Sequence, residues 1–177
     1  MIDPLFFDTD GLSAFLWIKG ESLLTKLYPG RIFIPAQVYN ELSNPCVPQL
    51  KRRIDSVVNS GQAKIVHIDY GTDASAMYRE LTENPKPGHK IIGSGEAAAI
   101  VLAVERDGII VSNNLRDISQ YVEEYNIRNL TTGDILKEAL NRGFASQDDC
   151  ETMWQEMRSK KRKLGFESFA EYLSRNQ

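Results

Sequence analysis

Apolar and polar positions alternate in blocks along this chain. Leu5-Phe6-Phe7 is a short apolar run that stops at Asp8-Thr9-Asp10-Gly11, the pattern of a buried strand ending in a polar turn. Leu12, Phe15, Leu16 and Lys19 then recur at helical spacing. Ser22, Leu23, Leu24 and Leu27 continue a helix until Pro29-Gly30 stops it. Arg31 to Ile34 reads as a second strand, closed by Pro35, which suits the first turn of a helix because it has no amide to leave unpaired. That helix carries Val38, Glu41 and Leu42 and ends at Asn44-Pro45. Leu50, Ile54, Val57 and Val58 mark a further helix, and Lys64 to Ile68 an edge strand. A polar helix spans Asp73 to Glu83, and Asn84-Pro85-Lys86-Pro87-Gly88 is loop.

Gly93-Ser94-Gly95-Glu96 opens a helix that is apolar all round, to about Arg106. Ile109-Ile110-Val111 is apolar at every position, which suits the interior of a parallel sheet. Ser112-Asn113-Asn114 is a strand-to-helix turn before a helix over 115–125. Arg128-Asn129-Leu130 is a last strand, Gly133-Asp134 opens a helix that Gly143 stops, and 147–163 and 166–174 read as two more helices. Strands alternating with helices predict an α/β fold of three layers, α/β/α, with a central, mostly parallel sheet. The pattern divides into an α/β domain over 1–145 and a helical C-terminal extension over 146–177, packed on the same domain.

Composition narrows the class. The 177 residues are 42% hydrophobic and 25% charged, with a net charge of −3, ordinary values for one globular domain. They exclude a disordered polyanion and a strongly basic nucleic-acid coat. Cys46 and Cys150 cannot make a disulfide framework, so a reduced cytoplasm is expected. Neither has the neighbours of a zinc site. The longest apolar run, Ala97 to Val104, falls far short of the ~20 residues that cross a bilayer, and the chain opens without the pattern of a secretory leader. No membrane association is expected. Bases cluster late, at Arg158, Lys160, Lys161, Arg162 and Lys163.

Ligands of open α/β sheets bind beyond the carboxyl ends of the strands. There the sequence places Asp8, with Asp10 two residues on, Glu41 after the second strand, Glu96 at the start of the apolar helix, and Ser112, Asn113 and Asn114 with Asp117 behind them. Brought together by the fold, such carboxylates repel unless a cation joins them. Hard oxygen ligands select Mg2+ or Mn2+, and such a site suits metal-assisted phosphodiester hydrolysis. Each acid also has a local reading. Asp8 can cap the following helix, Glu41 can be a solvated helix residue, and Glu96 and Asp117 can be stabilised by helix dipoles. The apolar run after Glu96 argues against the local reading there.

These residues resemble a family. Asp8-Thr9-Asp10 after an apolar strand, Ile34-Pro35 with Val38 and Glu41-Leu42, Gly93-Ser94-Gly95-Glu96-Ala97, and Val111-Ser112-Asn113-Asn114-Leu115-Arg116-Asp117-Ile118 are similar, in order, to the four motifs of PIN-domain nucleases. The last takes the form seen in VapC-type toxin ribonucleases. The resemblance covers roughly residues 5 to 144. It implies a divalent-metal-dependent endoribonuclease, using Mg2+ or Mn2+ and metal-activated water, in which Asp8, Glu41, Glu96 and Asp117 are catalytic and Asp8, Glu96 and Asp117 hold the metal. Thr9, Asp10, Ser112, Asn113 and Asn114 would support them. It also implies an RNA substrate and the toxin role of a toxin–antitoxin pair with an antitoxin partner. Separately, Trp154, Met157 and Phe166 can pack the tail onto the domain or onto a second subunit, which would make a homo-oligomer, a dimer. One departure from the family stands out: Asn113-Asn114 occupies the place where many PIN proteins carry one or two Asp.

Two other readings compete. Asp8-Thr9-Asp10-Gly11 also resembles the nucleophile motif of haloacid-dehalogenase-type phosphatases, with Asp8 attacking phosphorus. However, residues 113 to 133 lack the Lys that scheme expects, and Glu41 and Glu96 go unused. A catalytically weak PIN-like RNA-binding or scaffold module is the other, motivated by Asn113-Asn114. The basic residues Arg158, Lys160, Lys161, Arg162 and Lys163, with Arg116, are candidate phosphate contacts. The acids Glu151, Glu156, Glu167 and Glu171 around the late cluster argue instead for a solvated helix face.

Overall fold

The computed structural model describes residues 3–176. The ends of the two expected segments, Met1, Ile2 and Gln177, lie outside them. Five strands, β1 (Leu5–Phe7), β2 (Ile32–Pro35), β3 (Ala63–Val66), β4 (Ile109–Val111) and β5 (Arg128–Leu130), form one sheet in the order β3-β2-β1-β4-β5. Every pairing is parallel, with Leu5 beside Ile32 on one side and beside Ile109 on the other. Registers of two to four residues suffice because both faces are covered. β1 and β4 are buried at every position, the signature of a parallel sheet under two helical layers.

The pleat sorts the two cores. Leu5, Phe7, Ile109 and Val111 face one side, with α1 (Thr9–Trp17), α2 (Glu21–Leu27), α3 (Ala36–Leu42), α4 (Pro48–Asn59), α8 (Thr132–Asn141), α9 (Gln147–Ser159) and α10 (Phe169–Arg175) contributing to that core. Phe6 and Ile110 face the other, with α5 (Asp73–Thr82), α6 (Ser94–Glu105) and α7 (Leu115–Glu124). The result is a three-layer α/β/α fold. α6 explains its uniform apolarity: Ala97 through Ala103 are all buried. The C-terminal helices join the first core through Trp154, whose indole donates to the carbonyl of Phe166 (3.2 Å), and through Phe169 and Tyr172. Among the described residues no helix is long and apolar enough to cross a membrane.

Several boundaries differ from the sequence reading. Asp8-Thr9-Asp10-Gly11 is not a turn before a helix, because α1 begins at Thr9 with Asp8 as its cap. Glycine in this first turn lets the chain leave the strand tightly. Pro35 closes β2 and precedes α3 instead of opening its first turn. The helix expected over 147–163 stops at Ser159. Four of the five clustered bases therefore lie beyond it and not on a helix face.

Candidate active site

From β1 the chain proceeds to β2 on one side, while β4 lies on the other. The order in which strands are added thus reverses between β1 and β4, and the crevice beyond their carboxyl ends is where an open parallel sheet receives ligands. Asp8 follows β1 directly, and its amide donates to the Val111 carbonyl of β4 (3.0 Å). The α1 turn is pressed so closely onto β4 that a methyl group on Gly11 would stand 2.6 Å from the Val111 carbonyl oxygen.

Asp8 is fully buried. Its Oδ1 accepts the Gly11 amide (2.6 Å), the capping bond expected of the local reading, while Oδ2 is buried with no hydrogen bond of good geometry. Burial pushes its carboxyl up to about 7. The Ser112 hydroxyl and Gly11 amide partly offset this, and the negative charges of Asp10 and Glu96 add to it. An unsatisfied buried carboxylate oxygen facing further carboxylates is costly alone and favourable once a cation is shared.

Glu41, on α3, reaches across the crevice. Its Oε1 accepts the Ser94 hydroxyl (2.6 Å) and the Gly95 amide (3.0 Å) at the N-terminus of α6, and its Oε2 accepts the Thr9 hydroxyl. A carboxylate here is favoured by the exposed amides of the 12-residue helix. Glu41 thereby ties α1, α3 and α6 together. Gly95 is obligatory in this arrangement, since a methyl group there would stand 2.7 Å from Thr9 Oγ1 and 3.0 Å from Glu41 Oε2.

Glu96 caps α6 after all: its Oε2 accepts the Gly93 amide (3.0 Å). Its Oε1 accepts the side-chain amide of Asn114, which also donates to Asp117 Oδ2 (2.8 Å). Glu96 and Asp117 therefore meet through one neutral amide. Ser112 is buried, and its hydroxyl oxygen accepts the Asn114 amide N–H (3.1 Å). Asn113 turns elsewhere: its side chain accepts the Thr132 amide (2.8 Å) and donates to the Thr132 hydroxyl (2.8 Å), pinning β4 to the start of α8. It is a structural clasp and orients no carboxylate of the site. Arg116 is exposed on α7.

Thr9, Asp10, Ser13, Glu41, Gly93, Gly95, Glu96 and Arg162 line a pocket of 260 Å³. Burial raises the Asp10 carboxyl, against which Arg162 and Lys163 act. Ser13, Ser94, Gly95 and Gly11 escaped the sequence reading as site residues. The short G-S-G run before Glu96 held the signal for two of them.

Among the described residues, no three His, Cys, Asp or Glu side chains stand together as a ready-made metal centre. The donor chemistry nevertheless fits Mg2+ or Mn2+. Such ions take oxygen ligands, and Mg2+ is held by one or two carboxylates with water and substrate phosphate completing its shell. The unpartnered Asp8 Oδ2 supplies one, and Glu96, whose charge acts on Asp8, would supply a second once its Oε1 gives up the Asn114 amide. Glu41 is committed to α6 and Thr9, and Asp117 to Asn114. Glu41 and Glu96 thus line one pocket, Asp8 is buried where the Glu96 charge reaches it, and Asp117 connects to Glu96 through Asn114.

A family model described as a PIN domain matches residues 5–177. No curated protein matches the chain.

Proposed function

The chain belongs to the PIN-domain family, a nuclease fold, and from that premise we propose that it is a divalent-cation-dependent endoribonuclease. The observation that carries this reading is Asp8: a fully buried carboxylate with one orphaned oxygen, beside Glu96, at the crevice between β1 and β4. Asp8 and Glu96 would hold Mg2+ or Mn2+. A bound ion polarises the scissile phosphoryl group and makes water more acidic. Glu41 keeps the N-terminus of α6 in place, so that Glu96 is presented at a fixed distance from Asp8. Thr9 and Ser94 restrain Glu41. Asp117 acts through Asn114 on Glu96. The phosphatase reading leaves Glu41 and Glu96, which line the same pocket, without a role, and nothing in the site favours it.

One observation favours a second reading, an RNA-binding module with weak catalysis. The neutral Asn114 amide stands between two carboxylates where a cation could otherwise sit. The same experiment separates the two. Purified protein is incubated with labelled single-stranded RNA and Mn2+, beside Asp8→Asn. Cleavage by the wild type that is abolished in the variant supports the endoribonuclease. Binding without cleavage in both supports the module.

The setting we propose is cytoplasmic, as the toxin half of a toxin–antitoxin pair acting as a homodimer. The resemblance of the fourth motif supports the toxin role, and two unpaired cysteines, Cys46 exposed and Cys150 buried, support the cytoplasmic setting. Growth arrest on expression of the chain, relieved by a co-expressed antitoxin protein, is the expected result.

A further inference from the structure

The basic run at 158–163 splits in the structure. Arg158 lies in the last turn of α9 and is engaged by Glu167, donating from Nη2 to the carboxylate (2.5 Å) and from Nη1 to the backbone carbonyl (2.6 Å). Lys160, Lys161 and Lys163 are exposed. Arg162 alone turns into the acidic pocket.

The backbone delivers it there. After α9 ends, the Lys161 amide donates to the Arg158 carbonyl (2.8 Å) and the Arg162 amide to the Met157 carbonyl (3.0 Å). Lys161 itself has φ 59°. Two such bonds around one left-handed residue make a Schellman cap. The residue after the left-handed one ordinarily packs an apolar side chain back onto its helix. Here that residue is Arg162. Its Nε donates to the Lys160 carbonyl (3.1 Å), and its Nη1 donates to the Ser13 hydroxyl (3.3 Å) and lies 3.6 Å from Asp10 Oδ1. Among the described residues Nη2 has no acceptor.

Arg162 is the one cationic side chain among the pocket's lining residues, facing Asp10, Glu41 and Glu96. Those carboxylates repel a polyanionic strand as it approaches. A guanidinium fixed at the rim offsets that repulsion, and its planar fork matches two phosphate oxygens. Resting on the ribonuclease reading above, we infer that Arg162 binds a backbone phosphate of the RNA strand lying across the pocket, so that the C-terminal segment completes the substrate site. Because the cap and Ser13 already restrain the side chain, less side-chain freedom is lost on binding.

The test is binding of a fluorescein-labelled single-stranded RNA in EDTA, followed by anisotropy across a salt series, for wild type, Arg162→Ala, Arg162→Gln and Arg162→Lys. In Arg162→Ala and Arg162→Gln, affinity is expected to fall about tenfold at low salt. The slope of log K against log salt should become shallower by about 0.7, the share of one single-strand phosphate. Arg162→Lys should keep the slope and recover only part of the affinity, as a point charge without the fork. A purely structural role would alter melting temperature and leave the slope alone. Equal affinity and slope in wild type and Arg162→Gln overturn the inference while leaving the ribonuclease reading intact. A wild-type protein that neither binds nor cleaves RNA overturns both.

Discussion

The side-chain amide of Asn114 donates to Glu96 and to Asp117 at once, so one neutral –NH2 group holds two carboxylates together. Asn114→Asp replaces both donors with a third negative charge. Without divalent ion this variant should lose about 1–3 kcal/mol of stability, the usual cost of stranding charged groups that had been hydrogen-bonded. The new carboxylate also adds a hard oxygen ligand beside Glu96. Mn2+ should therefore raise the melting temperature of Asn114→Asp by more than it raises that of wild type. Thermal melts in EDTA and in Mn2+ measure both effects. An Mn2+ shift equal to wild type would show that the amide does not stand in a cation's place.

Asp8 makes the metal-free protein lose stability as pH rises. Its carboxyl is pushed up to about 7 in the folded state, chiefly by burial, from the ordinary 3.8. Below pH 4 both folded and unfolded chains carry the proton, and Asp8 costs nothing. Between pH 4 and 7 the unfolded chain has released the proton while the folded chain retains it, so folding becomes steadily less favourable. Above 7 the full penalty, on the order of 4 kcal/mol at 1.36 kcal/mol per pH unit, is present. Asp8→Asn should abolish this slope, because its amide oxygen still accepts from Gly11 and carries no charge. Urea denaturation of the two proteins in EDTA, from pH 4.5 to 8, should show curves that diverge with rising pH, the variant being more stable at pH 8.

Two glycines fail for different reasons when a methyl group is added. At Gly11 the new carbon meets the Val111 carbonyl at 2.6 Å, a backbone atom of the sheet that cannot swing away. At Gly95 it meets the side chains of Thr9 and Glu41, which can rotate at the cost of their hydrogen bonds. Gly11→Ala should therefore destabilise the fold by about 1–3 kcal/mol or more, the range for overpacking. Gly95→Ala should lose less stability yet most of its nuclease activity, since Glu41 no longer fixes the start of α6. Melting temperature and RNA cleavage rate, measured together, separate the two. Equal loss of stability in both would mean that the Thr9–Glu41 contact is as rigid as the sheet.

The fold was legible wherever burial was uniform. Ile109-Ile110-Val111 and the apolar helix after Glu96 declare a parallel sheet and a covered helix because their side chains meet apolar partners all round. The acids at strand ends were legible as a set because a parallel sheet gives them only one place to go. Their bonding was not. Asn113 and Asn114 are adjacent and identical, and only tertiary contacts send one to Thr132 and the other to Glu96. Arg162 was hidden for another reason. No local composition distinguishes it from Lys160, Lys161 and Lys163; the turn that aims it depends on a lysine adopting a backbone conformation that favours glycine.

That lysine is itself a test of how the C-terminal segment is held. Lys161 sits at φ 59° in the position of the α9 cap that usually belongs to glycine. The left-handed conformation costs a residue with a Cβ about 1–2 kcal/mol, while glycine gives back part of that through its freer unfolded chain. Lys161→Gly should stabilise the protein by about 0.5–1 kcal/mol if the cap persists in solution. The reverse pressure, Lys161→Val, should destabilise it, because a β-branched side chain tolerates this region least. Urea midpoints of the three proteins provide the measurement. A neutral Lys161→Gly combined with a tolerated Lys161→Val would mean that the segment beyond Ser159 is not locked by this turn, and Arg162 would lose the restraint that aims it at the pocket.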